Sequence, residues 1–272
     1  MNAVSLGPLV FSHERLHVVI AIAAFFLAIE LATWIWPTRA GVVHRWSLVV
    51  AASWIVAARA GFMLANLDSF AADPVSALAV WQGGFAPFAG AAGLALAALA
   101  AMLRGPEVLR PLALAVIASG LAYTAAGLAL PVEARGQLPR IALPALDSAP
   151  VPLSDAEGRP AIINLWVSWC PPCRREMPMM MDLARARDDV VVRFANQGEP
   201  RETVLRYLDS QNLSGERVVL DAEQRLMEAF GLLGLPSTLF FAADGSLVAV
   251  HIGEISRAAL ANRMNELSRE TP

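Results

Sequence analysis

The sequence contains no lysine: all 21 basic side chains among its 272 residues are arginine. That excludes a lysine Schiff base and a P-loop lysine. Cysteine is nearly as scarce. Cys170 and Cys173 are the only two, too few for a disulfide-stapled secreted scaffold or a four-cysteine zinc site. The four histidines, His13, His17, His44 and His251, do not stand at zinc-finger spacing, so no metal is expected. Charged residues make up 17% of the chain, against about 25% in an ordinary soluble protein. The net charge of −3 lacks the basic excess of a nucleic-acid binder, and no nucleic-acid partner is expected.

The shortage of charge is uneven. Residues 1–131 hold six arginines and five acids, whereas 132–272 hold fifteen and nineteen. Only the second half has the surface of a soluble domain. The first half carries four apolar stretches, at 16–36, 46–67, 85–103 and 109–131. About 20 apolar residues are needed to cross the hydrocarbon core. The first stretch is too long for a signal-peptide core and has no basic segment before it, so it reads as an uncleaved span. The expected fold is an all-α transmembrane domain of four helices over 1–131, a Pro-rich linker and edge hairpin over 132–160, and an α/β core over 161–272.

Loop charge predicts orientation. Arg39 and Arg45 lie in the first loop, and Arg104 and Arg110 in the third. The second loop, 68–84, carries Asp68 and Asp73 and no base. Basic loops stay in the cytoplasm. The N-terminus and residues 132–272 are then outside, in a compartment that tolerates disulfides. Two charges fall inside the spans. Glu30 can snorkel toward the cytoplasm, while Arg59 is the candidate for a polar cavity, the alternative being a packing charge held by backbone. His13 and His17, four residues apart beside Glu14 and Arg15, read as interface residues.

Several segments of this half stand in a familiar order: Ser5-Leu6-Gly7-Pro8, Arg59-Ala60-Gly61-Phe62 with Asn66-Leu67, Asp73-Pro74, then Trp81-Gln82-Gly83-Gly84 with Gly90 and Gly93. The pattern resembles the N-terminal part of prolipoprotein diacylglyceryl transferase, over about residues 4–103. The resemblance implies a partial fold and an outside N-terminus. It stops at the chemistry: Phe88-Ala89-Gly90 stands where that family has an essential His in a His-Gly-Gly run, and its later spans with an Arg-x-Gly-Asn motif are missing. Lipid transfer is therefore not expected.

In the second half, Pro139, Pro144, Pro150, Pro152 and Pro160 resist helix, and Asp155-Ala156-Glu157-Gly158 reads as turn material. Strands are then predicted over 161–167, 190–195, 217–220, 237–242 and 247–252, with helices over 171–187, 202–211, 222–230 and 257–268. Asp244-Gly245 marks the hairpin between the last two strands. A Cys-x-x-Cys at the end of the first core strand reads as a thioredoxin-like redox motif. Cys170, where strand gives way to helix, has free N–H groups nearby to hold a thiolate, so it is the attacking sulfur. Cys173, one turn on, resolves the mixed disulfide. Pro171 and Pro172 stiffen the backbone between them, and Trp169 offers an apolar wall. Pro236, just before a strand, is a candidate cis proline, which would let backbone groups of Leu235 pair with a substrate strand.

Asn164-Leu165-Trp166, Trp169-Cys170-Pro171-Pro172-Cys173-Arg174-Arg175-Glu176-Met177-Pro178, Asn196-Gln197-Gly198-Glu199, Gly234-Leu235-Pro236-Ser237-Thr238 and Asp244-Gly245 together resemble the TlpA/ResA branch of thioredoxin-like proteins, over about residues 138–270. The resemblance implies thiol–disulfide exchange on extracytoplasmic partners, often in the reducing direction, with no cofactor. It also implies that Glu176 tunes the cysteine pair. The alternative for Glu176 is a first-turn carboxylate stabilised by the helix dipole. Arg174 and Arg175 read as a solvated face.

These residues together predict a multi-pass protein of the bacterial inner membrane with its catalytic domain in the periplasm. It would reduce disulfides of envelope proteins through Cys170 and Cys173, with Glu176 moving a proton and Trp169, Leu235 and Pro236 meeting the substrate. A thiol oxidase of the same fold is one alternative; a non-catalytic adaptor that traps thiols is another. Residues 1–131 contain no cysteine, so a separate membrane thiol carrier must exchange electrons with the pair.

Overall fold

The computed structural model describes residues 3–6, 9–131, 136–146, 149–156 and 158–269. Gly7, Pro8, Glu157 and the linker residues 132–135 lie outside these segments. The chain forms two compact units: His13–Val132, and Glu133–Pro272 grouped with Met1–Ser12. Strands β1 (Ala3–Leu6) and β2 (Leu9–Ser12) pair as a short antiparallel hairpin.

In the helical unit, α1 (His13–Ile35) is followed at once by α2 (Ala40–Ala65), because Pro37–Arg39 makes a single 3-10 turn. A short α3 (Leu67–Ala72) and two 3-10 turns, Pro74–Leu78 and Val80–Gln82, lead to α4 (Pro87–Arg104) and then α5 (Leu109–Ala129). Among the described residues, four helical segments are long and apolar enough to cross a membrane. α1 packs along α5, and α2 along α4. Without a hydrophobic drive inside lipid, small residues let helices approach. A Cβ on Gly93 would stand 2.5 Å from Cβ of Ala57 and 2.6 Å from the Ser53 carbonyl oxygen, and one on Gly90 would stand 2.8 Å from the Trp54 indole. These two glycines are packing residues of the α2–α4 seam.

The second unit has a five-stranded sheet in the order β7–β6–β5–β8–β9. Its strands are β5 (Ala161–Trp166), β6 (Val191–Gln197), β7 (Val218–Asp221), β8 (Ser237–Phe241) and β9 (Leu247–Ile252). β5, β6 and β7 run parallel, β8 is antiparallel to β5, and β9 is antiparallel to β8. Every residue of the central β5 and β8 is buried. That fits strands covered on both faces, which read as continuous apolar runs. Ile162, Phe194 and Phe240 share one core with side chains of α6 (Pro171–Arg185), α7 (Arg201–Ser210) and α9 (Arg257–Arg269). Ile163, Leu165, Leu239 and Phe241 face a second core with Leu226 of α8 (Arg225–Ala229). Alternate side chains of a strand point to opposite faces, and both faces are filled.

The Pro-rich stretch does more than connect. Leu138, Leu143, Ala145, Leu153 and Ala156 are buried in the second core. Its hairpin pairs β3 (Ala142–Leu143) with β4 (Val151–Pro152). Asp155 and Ala156, read as turn material, belong to a 3-10 turn, Leu153–Ala156, that leads toward β5. Burial of the apolar residues between the prolines decides this placement.

Candidate active site

β5 ends at Trp166, and the chain turns through Val167, Ser168 and Trp169 into α6. Cys170 is the N-cap of that helix; its Sγ accepts the N–H of Cys173 at 3.3 Å. Pro171 and Pro172 occupy the next positions, where the missing N–H groups would have had no helical partner. Cys170 and Cys173 form a disulfide, with Cα atoms 5.3 Å apart. Cys170 is 5% exposed and Cys173 fully buried. Cys170 is thus the more accessible sulfur, though the oxidised pair presents little of it. Trp169 beside it is 72% exposed, an apolar surface next to the disulfide.

The Leu235–Pro236 peptide bond is cis. Leu165 pairs with Ser237 across β5 and β8, which sets Pro236 level with Trp166, at the end of the sheet where the cysteine turn begins. The Pro236 carbonyl accepts the N–H of Gly253 at 2.8 Å, so the start of β8 is tied to the end of β9.

Glu176 sits on α6, one turn after Cys173, and is 2% exposed. Asn164 Nδ2 donates to its Oε1 at 2.9 Å, and the Ile255 N–H donates to its Oε2 at 3.0 Å. Burial pushes its carboxyl up to about 8; the two hydrogen bonds pull the other way but do not offset the loss of water. The same Asn164 Nδ2 lies 3.1 Å from the Thr238 hydroxyl, while its Oδ1 is buried with no partner. Turned over, that amide would present its oxygen to the protonated acid. Asn164 can therefore serve either charge state of Glu176.

Two groups escaped the sequence reading. Glu199, in the loop after β6, accepts the Ser168 N–H at 2.7 Å, the Ser168 hydroxyl at 2.6 Å and Asn196 Nδ2 at 2.7 Å. It anchors the turn that carries Trp169 and Cys170. The run Asn196-Gln197-Gly198-Glu199 was visible, but nothing local says that Glu199 reaches a residue 31 positions away. Arg175 is exposed, as a solvated face requires, and it also forms a two-pronged ion pair with Glu254, its Nη2 2.6 Å from Oε2 and its Nε 3.2 Å from both oxygens. The partner could not be read from the sequence because the β9–α9 loop, remote in sequence, brings that carboxylate to the face. Arg174 does lie over the Tyr207 ring, 5.6 Å from its centroid.

The helical unit resolves its own candidates differently. Arg59 is buried and donates to four backbone carbonyls: Ala77 at 3.1 Å, Ser76 at 2.7 Å, Gly83 at 2.6 Å and Gly84 at 3.0 Å. Phe70 and Phe85 pack against its guanidinium. A guanidinium has five N–H donors, so almost none is left for a ligand. Arg59 staples the segment between α2 and α4, as the packing alternative supposed. Glu30 is exposed and meets His44 Nε2 at 3.0 Å. His13 and His17, at the start of α1, are buried: His13 Nδ1 lies 3.2 Å from the Pro131 carbonyl and His17 Nε2 2.9 Å from that of Leu130. Helix ends leave carbonyls unpaired. Rings at the start of α1 satisfy those just past the end of α5.

The chain matches the Redoxin family over residues 133–265. It is 32% identical over 127 residues to thiol-disulfide oxidoreductase ResA of Halalkalibacterium halodurans, a match covering 46% of this chain and 72% of that protein. It is 28% identical over 117 residues to ResA of Bacillus subtilis, covering 42% of this chain and 65% of that protein. Among solved structures, the exposed lipoprotein thioredoxin Etrx1 of Streptococcus pneumoniae is 28% identical with a TM-score of 0.42, covering 47% of this chain and 98% of that one.

Proposed function

Because this chain belongs to the ResA-type family of thiol–disulfide oxidoreductases, we propose that it is a membrane-anchored reductase of protein disulfides, acting outside the cytoplasm on envelope proteins. The observation that carries the reducing direction is Glu176, a buried acid one turn from Cys173 whose proton is held up to about pH 8. A neutral acid there can protonate the Cys173 sulfur as it leaves the disulfide, and the carboxylate this produces disfavours a neighbouring thiolate and makes the dithiol a better electron donor.

The proton and electron steps balance as a cycle. A donor thiolate attacks the disulfide, and the departing Cys173 sulfur takes the proton of neutral Glu176. A second donor thiol then frees Cys170, so two electrons have entered the pair. In the outgoing half, the Cys170 thiolate attacks a substrate disulfide and forms a mixed disulfide, releasing one substrate sulfur as thiolate. Glu176, now ionised, takes back the Cys173 proton as that sulfur attacks Cys170 Sγ and expels the second substrate sulfur as thiolate; both released thiolates take protons from water. Trp169 and Leu235 border the incoming chain, and backbone groups at Leu235–Pro236 pair with it. No cofactor enters these steps.

The helical unit acts as an anchor of partial prolipoprotein diacylglyceryl transferase type without lipid transfer. Phe88 stands in place of the essential His, and Arg59 is occupied by backbone. The arginines of the first and third loops favour an outside C-terminal domain. The His13–Pro131 and His17–Leu130 contacts fit this, since they bring the start of the first span and the end of the fourth to one face. An anchor raises the effective concentration of the domain near a membrane thiol carrier or a membrane substrate.

The test is the reduction potential of the full chain in detergent. A reductase is expected at about −270 mV or below, thioredoxin's range, while a value near about −120 mV would make the chain an oxidase. Turnover in an insulin disulfide reduction assay separates an enzyme from an adaptor that only traps thiols. Reporter fusions after residue 135 should be active only outside the cytoplasm, and fusions at 41 or 106 only inside.

A further inference from the structure

Glu176 is held from three sides. Asn164 of β5 and Thr238 of β8 lie below it in the sheet. The β9–α9 loop closes over it, with the Ile255 N–H on its Oε2. His251 of β9, in register with Thr238, has Nε2 3.2 Å from the Glu254 carbonyl. The charged groups that act on the acid are Arg175, its neighbour on α6, and Glu254, the residue before Ile255. Those two bind each other, and the Glu254 side chain is only 7% exposed against 55% for Arg175. A carboxylate that deep is costly unless paired. The pair therefore cannot be read as an incidental surface contact.

We propose that Arg175 and Glu254 are positioning residues that act on the proton relay through their charges: paired with each other beside Glu176, where the same loop brings it the Ile255 N–H, their opposite charges set the pH at which Glu176 exchanges its proton with Cys173. The proposal rests on Glu176 being that relay. It assigns Arg175 and Glu254 a role that neither the Cys-x-x-Cys motif nor the sheet topology contains.

A fastener and an electrostatic device make different predictions. If the pair only fastens the loop, Glu254→Gln and Arg175→Met both weaken the Ile255 hydrogen bond and both raise the pH at which Glu176 ionises. If the charges matter, Glu254→Gln leaves Arg175 unopposed and lowers that pH. Arg175→Met leaves Glu254 unopposed and raises it. The double variant, neutral at both positions, falls between the two single variants.

The experiment titrates the oxidised full chain in nanodiscs, labelled with carboxyl-13C glutamate. The Glu176 resonance is the one missing from Glu176→Gln. The expected midpoint shifts are opposite in sign and about half to one pH unit each, within the range for a charge at a few ångströms. Shifts of the same sign, or no shift in either variant, overturn the proposal. Near-ultraviolet circular dichroism on the same samples checks the fold, and the conservative Arg175→Lys keeps the charge and should keep the midpoint if Arg175→Met fails to fold. The titration uses no substrate and no electron donor. A chain that proves to be an oxidase, or that shows no pH dependence of exchange through Glu176, would sink the functional reading while leaving this measurement able to decide on its own.

Discussion

Both halves of this protein bury a charged side chain, and they treat it in opposite ways. In the helical half, Arg59 hands its donors to four carbonyls and becomes part of the backbone's hydrogen bonding. In the soluble half, Glu176 receives two donors, too few to hold its charge comfortably, and its proton affinity rises to about 8. A buried charge that is fully paired is structure. One that is under-paired can change state at a pH the cell meets. The contrast separates a structural charge from a reactive one better than the identity of either residue does.

The sharpest way to break the contrast is to remove the chemistry from one half only. Cys170→Ser should abolish disulfide exchange, while Cys173→Ser should accumulate mixed disulfides visible on non-reducing gels. In the reduced wild type Cys170 should alkylate before Cys173, being nearer the helix N-terminus and less buried. Faster alkylation of Cys173 would reverse the assignment.

Arg59→Met tests the other half. It leaves four carbonyls without their donor, and removal of one member of such a buried set costs roughly 3–5 kcal/mol. The full chain in detergent should lose thermal stability and accumulate poorly in membranes. The reduction potential of whatever folds should be unchanged. A changed potential with normal stability would give Arg59 a functional role.

Glu176→Gln should keep the fold, slow exchange at neutral pH by at least about tenfold, and flatten its pH profile. The stability effect has a definite sign. The carboxyl's value is raised from 4.5 to about 8 in the folded chain, so above about pH 4.5 the folded state holds the proton more tightly than the unfolded one. Stability from this group is complete below that point and is lost as pH rises through about 8. Wild type should therefore lose a few kcal/mol between pH 5 and pH 9 that Glu176→Gln keeps. Thermal unfolding of the oxidised chain across that range checks it.

The smallest effect is expected at Glu199. Glu199→Gln retains one acceptor for Ser168 but loses the charge, worth about 1–2 kcal/mol in hydrogen-bond strength. Trp169 should become more mobile by fluorescence anisotropy, and exchange should slow a few-fold. The helical half should be untouched in all respects.

Much of this protein is determined by the sequence alone. Apolar length and sparse charge mark four helices long enough to cross a membrane, because the hydrocarbon core needs about 20 apolar residues whatever surrounds them. Alternating strand and helix periods around Cys-x-x-Cys and Leu235-Pro236 set the soluble fold and the place of the disulfide, because both are local signals. The tertiary structure decided the rest. It drew the Pro-rich segment into the second core, since Leu138, Leu143 and Leu153 could be buried there. It turned His13 and His17 inward, because carbonyls past the end of α5 needed donors. It paired Arg175 with a glutamate 79 positions away and Ser168 with one 31 positions away. A charged side chain carries no mark in the sequence of whether it will meet water, backbone or an opposite charge. That depends on which loops the fold brings over it, and so whether Arg59 or Glu176 stayed free to react was settled only when the chain closed around each.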